Sequence, residues 1–183
     1  MMCAQNKETF KRILLWSGMV VCLFLAGCRD KSVDHYNWGI AYAKKGKYDK
    51  AIYEFTTAIE FNPRFAEAYC NRGLACKNKG EYDLAISDCS KAIEINPGYA
   101  MAYYNRGNAY LFKGQNDLAI SDYTRALEIK PKLAKAYNNR GLAYYYKREY
   151  DKAWEDVHKV QSLGQQIHTE FLKILREASG REG

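Results

Sequence analysis

Two groups of residues in this sequence have types and spacings that could do chemistry. Asn37, Asn71, Asn105 and Asn139 recur every 34 residues, each two positions before a glycine. A carboxamide both donates and accepts hydrogen bonds, so a row of them matches the C=O and N–H groups of peptide units. Asparagine is a mediocre helix former, so four in register need a reason. The second group is a single thiol. Cys28 closes the run Leu25-Ala26-Gly27-Cys28, at the end of an apolar stretch that starts at Ile13.

Other chemistries are poorly served. The three histidines, His35, His158 and His168, are scattered, and neither Cys-x-x-Cys nor His-Glu-x-x-His occurs, which argues against a metal. No serine or cysteine has a histidine and an acid at a recognisable motif spacing, so the chain reads as a non-enzyme with no cofactor. The formal charge is +7, but no run of five or six basic residues appears, so nucleic acid is not an expected partner. Apolar residues at 48% against 27% charged make this a folded chain, and three prolines in 183 residues leave room for many uninterrupted helices.

The asparagines must be positioned by elements that repeat as they do. Gly39, Gly73, Gly107 and Gly141 share the 34-residue interval, as do Ala51, Ala85, Ala119 and Ala153, and as do Pro63, Pro97 and Pro131. A glycine inside a helix costs about 1 kcal/mol against alanine. That is tolerable where the missing side chain lets two helices approach, with the small alanine twelve residues on lying opposite. Gly46, Gly80 and Gly114 fall between the paired helices, where the fourth copy has Arg148. Cys76 and Cys89 fall on core-facing aromatic positions and read as small hydrophobes.

In the third copy the pattern is Tyr103-x2-Arg106-Gly107-x2-Tyr110, then Ala119-x3-Tyr123, then Pro131. It resembles the tetratricopeptide repeat, whose period is 34. The resemblance implies an all-α fold: a right-handed α-solenoid of four helix-turn-helix repeats at 32–65, 66–99, 100–133 and 134–167. Beyond them, Phe171, Leu172, Leu175 and Ala178 fall at helical spacing and suit a capping helix within the terminal segment 168–183.

In tetratricopeptide arrays the asparagine position faces the concave groove. The resemblance therefore implies that Asn37, Asn71, Asn105 and Asn139 hold an extended peptide or partner protein. Tyr104, Asn108, Phe112, Asn138, Tyr145 and Tyr146 are the other expected contacts, with Lys44, Lys77 and Asn78 at inner positions of the first two copies. A solvated polar face, or bonds between neighbouring repeats, would explain the asparagines equally simply, and some of the tyrosines would serve as core. The clamp that other members use on chaperone-tail carboxylates is not expected, because its positions carry Tyr36, Ile40 and Met101, and only Asn71 fits. Arg72, Arg106 and Arg140 recur beside acids at Glu54, Asp88, Asp122 and Asp156, whereas the first copy has Trp38 at the arginine position. The first copy has no predecessor, so each arginine is expected to reach the preceding repeat's acid: Arg72 to Glu54, Arg106 to Asp88, Arg140 to Asp122.

The start of the chain reads as an address. Lys7, Lys11 and Arg12 precede the apolar stretch, which is 13 residues long, about 20 Å as a helix. A membrane span needs about 20 residues, so an export signal fits better. Leu25-Ala26-Gly27-Cys28 resembles the lipobox of bacterial lipoproteins. The resemblance implies that residues 1–27 are removed, that Cys28 is acylated and anchors the chain to a membrane, and that 28–31 form a short tether. The mature chain would carry 25 basic and 20 acidic residues, a charge of +5. The implied location is the bacterial cell envelope, and in a Gram-negative host the outer membrane facing the periplasm, because Arg29 rather than an acid follows the cysteine. Rival readings are a cytosolic adaptor without an anchor and a small-ligand-binding domain with a closed pocket.

Overall fold

The computed structural model describes residues 30–181. The segment 1–27 expected to be an export signal, and Cys28, lie outside the described residues. Among the described residues nine helices follow one another: α1 (Lys31–Lys44), α2 (Tyr48–Phe61), α3 (Ala66–Asn78), α4 (Tyr82–Ile95), α5 (Ala100–Phe112), α6 (Asn116–Ile129), α7 (Ala134–Tyr146), α8 (Tyr150–Ser162) and α9 (Thr169–Ser179). No strand occurs among the described residues, and the chain is an all-α solenoid. No helix among them is long and apolar enough to cross a membrane.

The turns follow from the residues that form them. Gly46, Gly80 and Gly114 end the first helix of their pairs in the left-handed region, with φ of 69°, 84° and 71°. Arg148 adopts the same backbone at φ 62°, although its side chain disfavours it. Between pairs, Asn62 and Asn96 accept backbone N–H bonds from Arg64 and Gly98 at 3.1 and 3.0 Å across the intervening proline.

Packing explains the landmarks. A Cβ on Gly39 would lie 2.5 Å from the Phe55 ring, and one on Gly107 would lie 2.8 Å from the Tyr123 ring, so both glycines are required for close approach. Ala51, Ala85, Ala119 and Ala153 are buried opposite them. In the last pair the small Val157 replaces the aromatic, and Phe171 of α9 packs in from outside, 3.8 Å from where a Gly141 Cβ would sit. Trp154 Nε1 donates to Ser179 Oγ at 3.1 Å, which ties α9 to α8.

The first helices of successive pairs touch, α3 with α5 and α5 with α7, whereas no comparable contact joins the second helices α4, α6 and α8. A stack held closer along one row bends toward that row. The first helices therefore line its inner surface.

Each inter-repeat arginine grips the acid of its own repeat, which corrects the expectation that it reaches back to the previous one. Arg72 donates through Nε and Nη2 to Asp88 at 2.8 and 2.7 Å. Arg106 and Arg140 do the same to Asp122 and Asp156. The link to the preceding repeat runs instead through Nη1, to the hydroxyls of Thr56, Ser90 and Thr124 at 2.9–3.0 Å. Geometry decides this: the acid on the paired helix presents both oxygens to the guanidinium fork, whereas the previous second helix lies within reach of one arm only. In the first pair Trp38 cannot make the fork, and Glu54 pairs with His35 Nδ1 at 2.7 Å instead.

Candidate peptide-binding groove

The inner surface is built from one row of positions on α1, α3, α5 and α7. Three clefts open along it. One of about 270 Å³ lies between the first two repeats and includes Ile40, Lys44, Asn71, Leu74 and Asn78. One of about 430 Å³ lies where α5, α7 and the segment leading to α9 meet, and includes Tyr104, Lys135, Asn138, Asn139, Gln165 and His168. The third, of about 530 Å³, lies at the ends of α5 and α7 and is lined by Leu111, Phe112, Gly114, Asn116, Leu142 and Tyr146.

The recurring asparagines join neighbouring first helices. Asn71 Nδ2 donates to the Tyr36 hydroxyl at 2.9 Å. Asn105 Nδ2 donates to Cys70 Sγ at 3.2 Å. Asn139 Nδ2 donates to Asn108 Oδ1 at 2.7 Å and to the Tyr104 hydroxyl at 3.3 Å. Each bond runs from one repeat to the one before it, which explains why Asn37, in the first repeat, is exposed. Asn105 is buried at 4% exposure and is closed to any ligand. Asn71 and Asn139 are half-buried and still border clefts. Asn108 is also corrected to a core role: at 6% exposure its Oδ1 accepts from the Tyr123 hydroxyl at 2.8 Å as well as from Asn139. Burial raises the pKa of Tyr36, so its phenol stays protonated while it accepts from Asn71.

The aromatics divide in the same way. Phe112 and Tyr146 stand out of the surface at 62% and 57% exposure. Tyr104 is half-buried against Tyr123. Tyr145 packs edge-on to Phe171 and tilted on Tyr150, so it belongs to the junction with α9. Asn138 is half-buried and lines the middle cleft. Cys70 is buried, as are Cys76 and Cys89.

Charge on the inner surface is mainly positive, although Glu67 holds the position that Lys135 holds two repeats later. Lys44, Lys77 and Lys135 lie on it, and none has a carboxylate within ion-pair distance among the described residues. At three turns a lysine is paired: Lys79 with Asp49 and Glu81, Lys113 with Asp83, and Lys147 with Asp117 and Glu149. Burial lowers the Lys77 pKa, and its ammonium lies 5.5 Å from the centre of the Phe112 ring. Sequence reasoning missed Asn116, Lys135, Gln165, Gln166 and His168. The last three come from a non-helical junction whose fold no repeat pattern encodes. Among the described residues no group of three or more His, Cys, Asp or Glu side chains could hold a metal ion.

Profiles described as tetratricopeptide repeat match residues 66–99 and 89–121, and one described as TPR repeat matches 39–80 and 107–147. This chain belongs to the tetratricopeptide-repeat family. Among curated proteins no sequence matches it. Of solved structures, a crystal structure of MamA is 28% identical, covers 90% of this chain and 96% of its own, and superposes with a TM-score of 0.69. The first tetratricopeptide domain of Spaghetti (RPAP3), bound to the HSP90 peptide SRMEEVD, is 31% identical over 63% of this chain and 91% of its own, with a TM-score of 0.62. The second such domain of human RPAP3, in complex with the HSP70 peptide SGPTIEEVD, is 27% identical over 62% and 94%, with a TM-score of 0.60. As a tetratricopeptide-repeat protein, this chain has the architecture of a protein-interaction scaffold.

Proposed function

We propose that this chain is a membrane-anchored, non-catalytic scaffold of a bacterial cell envelope, which binds an extended peptide or partner protein along its inner surface. The observation that carries the binding reading is the inner surface itself: three open clefts, two protruding aromatic rings and three lysines without acid partners among the described residues. A peptide lying there meets side-chain clefts more than a backbone-gripping row of carboxamides, because three of the four asparagines already donate between repeats. The peptide complexes of the RPAP3 domains support such use of the fold. The positions of the tail-carboxylate clamp hold Tyr36, Ile40 and Met101 here, so the partner is not read by its C-terminal carboxylate alone.

The anchor reading rests on Leu25-Ala26-Gly27-Cys28 behind an apolar run. An acyl chain contributes about 0.8 kcal/mol per buried methylene, and two chains hold a protein stably where one does not. Fractionation of cells carrying the full chain, with and without Cys28→Ala, tests it. The unaltered protein goes with membranes and carries a lipidated N-terminal cysteine by mass spectrometry, and the variant does neither. An intact Met1 on the membrane-bound protein would overturn the anchor.

A further inference from the structure

The cleft at the ends of α5 and α7 combines three features that the packing of the repeats does not use. Its walls, Leu111, Phe112, Leu142 and Tyr146, are apolar, and two of them protrude. Asn116 Oδ1, also in the lining, is buried and accepts no hydrogen bond from any described residue. Lys77, outside the cleft, holds its ammonium 5.5 Å from the ring centre of the Phe112 wall, half-buried and with no carboxylate partner among the described residues. Phe112 is held in place by stacking on Tyr82, with ring centres 5.5 Å apart and planes within 4°.

We infer that this cleft reads a short extended segment of the partner in which a large apolar residue lies two positions from an aspartate or glutamate. The apolar side chain fills the cleft, and the carboxylate meets Lys77. The spacing follows from strand geometry. Residues two apart in an extended chain point the same way and stand about 6.6 Å apart, and the Lys77 ammonium stands 5.5 Å from the centre of the ring that forms one wall of the cleft. Charge fixes the sign: Lys77 has no carboxylate partner among the described residues, and at the inner positions of α1, α3, α5 and α7 lysines outnumber acids. The subsite is separate from the family's tail-carboxylate clamp, so it reads side-chain carboxylates inside a chain. The inference rests on the peptide-binding reading above.

The test is panning of a random twelve-residue peptide library, displayed with blocked C-termini, against the detergent-solubilised full chain. Enriched peptides are expected to share a Leu, Ile, Phe or Met two positions from an Asp or Glu. Their synthetic, C-amidated versions should lose at least tenfold in affinity to Lys77→Glu and to Phe112→Ala, and little to Lys130→Glu, with unchanged far-UV circular dichroism in all three. Enriched peptides that lack the acid, or that bind Lys77→Glu as well as the unaltered chain, overturn this inference and leave groove binding standing. No enrichment of any peptide overturns both.

Discussion

Arg106 and Asp122 form a two-pronged ion pair within one repeat, Nε to Oδ2 and Nη2 to Oδ1 at 2.8 Å each, while the third arm of the same guanidinium reaches Ser90 of the repeat before. One side chain thus clamps three helices, α5, α6 and α4. The arrangement recurs at Arg72 and Arg140. Removing the arginine leaves a nearly buried carboxylate without its counter-charge. Such a loss costs about 3–5 kcal/mol in a dry site, and Arg106 keeps 21% of its side-chain exposure. Arg106→Ala should therefore lower unfolding free energy by about 2–4 kcal/mol in urea titrations. The double variant with Asp122→Ala should lose clearly less than the sum of the two single changes.

The glycines of the first helices are not equivalent, and alanine scanning should separate them. Gly107→Ala pushes a methyl to 2.8 Å from the Tyr123 ring, which is fully buried and tied through its hydroxyl to Asn108, so the ring cannot swing away. The expected loss is about 1–3 kcal/mol from overpacking. Around Gly141 the nearest atoms lie at 3.4 and 3.5 Å, ordinary contact distances. Gly141→Ala should gain up to about 1 kcal/mol of helix propensity. Thermal melts that move in the same direction for both would contradict this account.

Burial, with Asp88 and Glu81 nearby, pushes the Cys76 thiol up to about 11 from its ordinary value of 9.0. The folded protein therefore keeps its proton at pH values where the unfolded chain has lost it. The stability tied to this thiol is complete below pH 9 and is lost as pH rises through 11. Two pKa units amount to about 2–3 kcal/mol. Urea titrations between pH 8 and 11 should show this decline, and Cys76→Ala should flatten it. In the native state at pH 8, a thiol reagent should leave Cys76 unmodified until the protein unfolds.

The fold was legible because the landmarks recur: glycine, alanine and proline at a 34-residue interval specify a close helix pair, its opposite contact and its end. The arginines were legible as structural, but not their partners. Both candidate acids recur with the same period, so spacing alone cannot choose between Asp88 and Asp122 for Arg106. The groove was legible in part, for a related reason. Periodicity put the asparagines on one face of the first helices, yet it is silent on whether a side chain points into the groove or across to the next helix. Only distance settles that, and Asn105 falls 3.2 Å from Cys70. Phe112 and Tyr146 end their helices and are exposed although each rests on a neighbouring ring, Phe112 on Tyr82 and Tyr146 on Tyr145.

The division between structural and ligand-facing residues leads to a last prediction, which uses one peptide and two variants. Asn105 is buried and bonds to the preceding repeat, so Asn105→Ala should lower stability by about 0.5–1.5 kcal/mol, the net value of one hydrogen bond. Its effect on the affinity of a groove-bound peptide should be within error, because the carboxamide never touches the ligand. Tyr146 is exposed and lines the apolar cleft, so Tyr146→Ala should do the reverse. Melting should be nearly unchanged, since surface substitutions away from packed features stay within about 0.5 kcal/mol. Affinity should fall by about 1–2 kcal/mol, the scale of a partly exposed aromatic contact in an interface. Calorimetric titration beside a thermal melt reads both quantities on the same samples. Asn105→Ala weakening the peptide more than Tyr146→Ala would return the asparagine row to the binding surface, because a buried rung could act so strongly only if the groove opened to expose it.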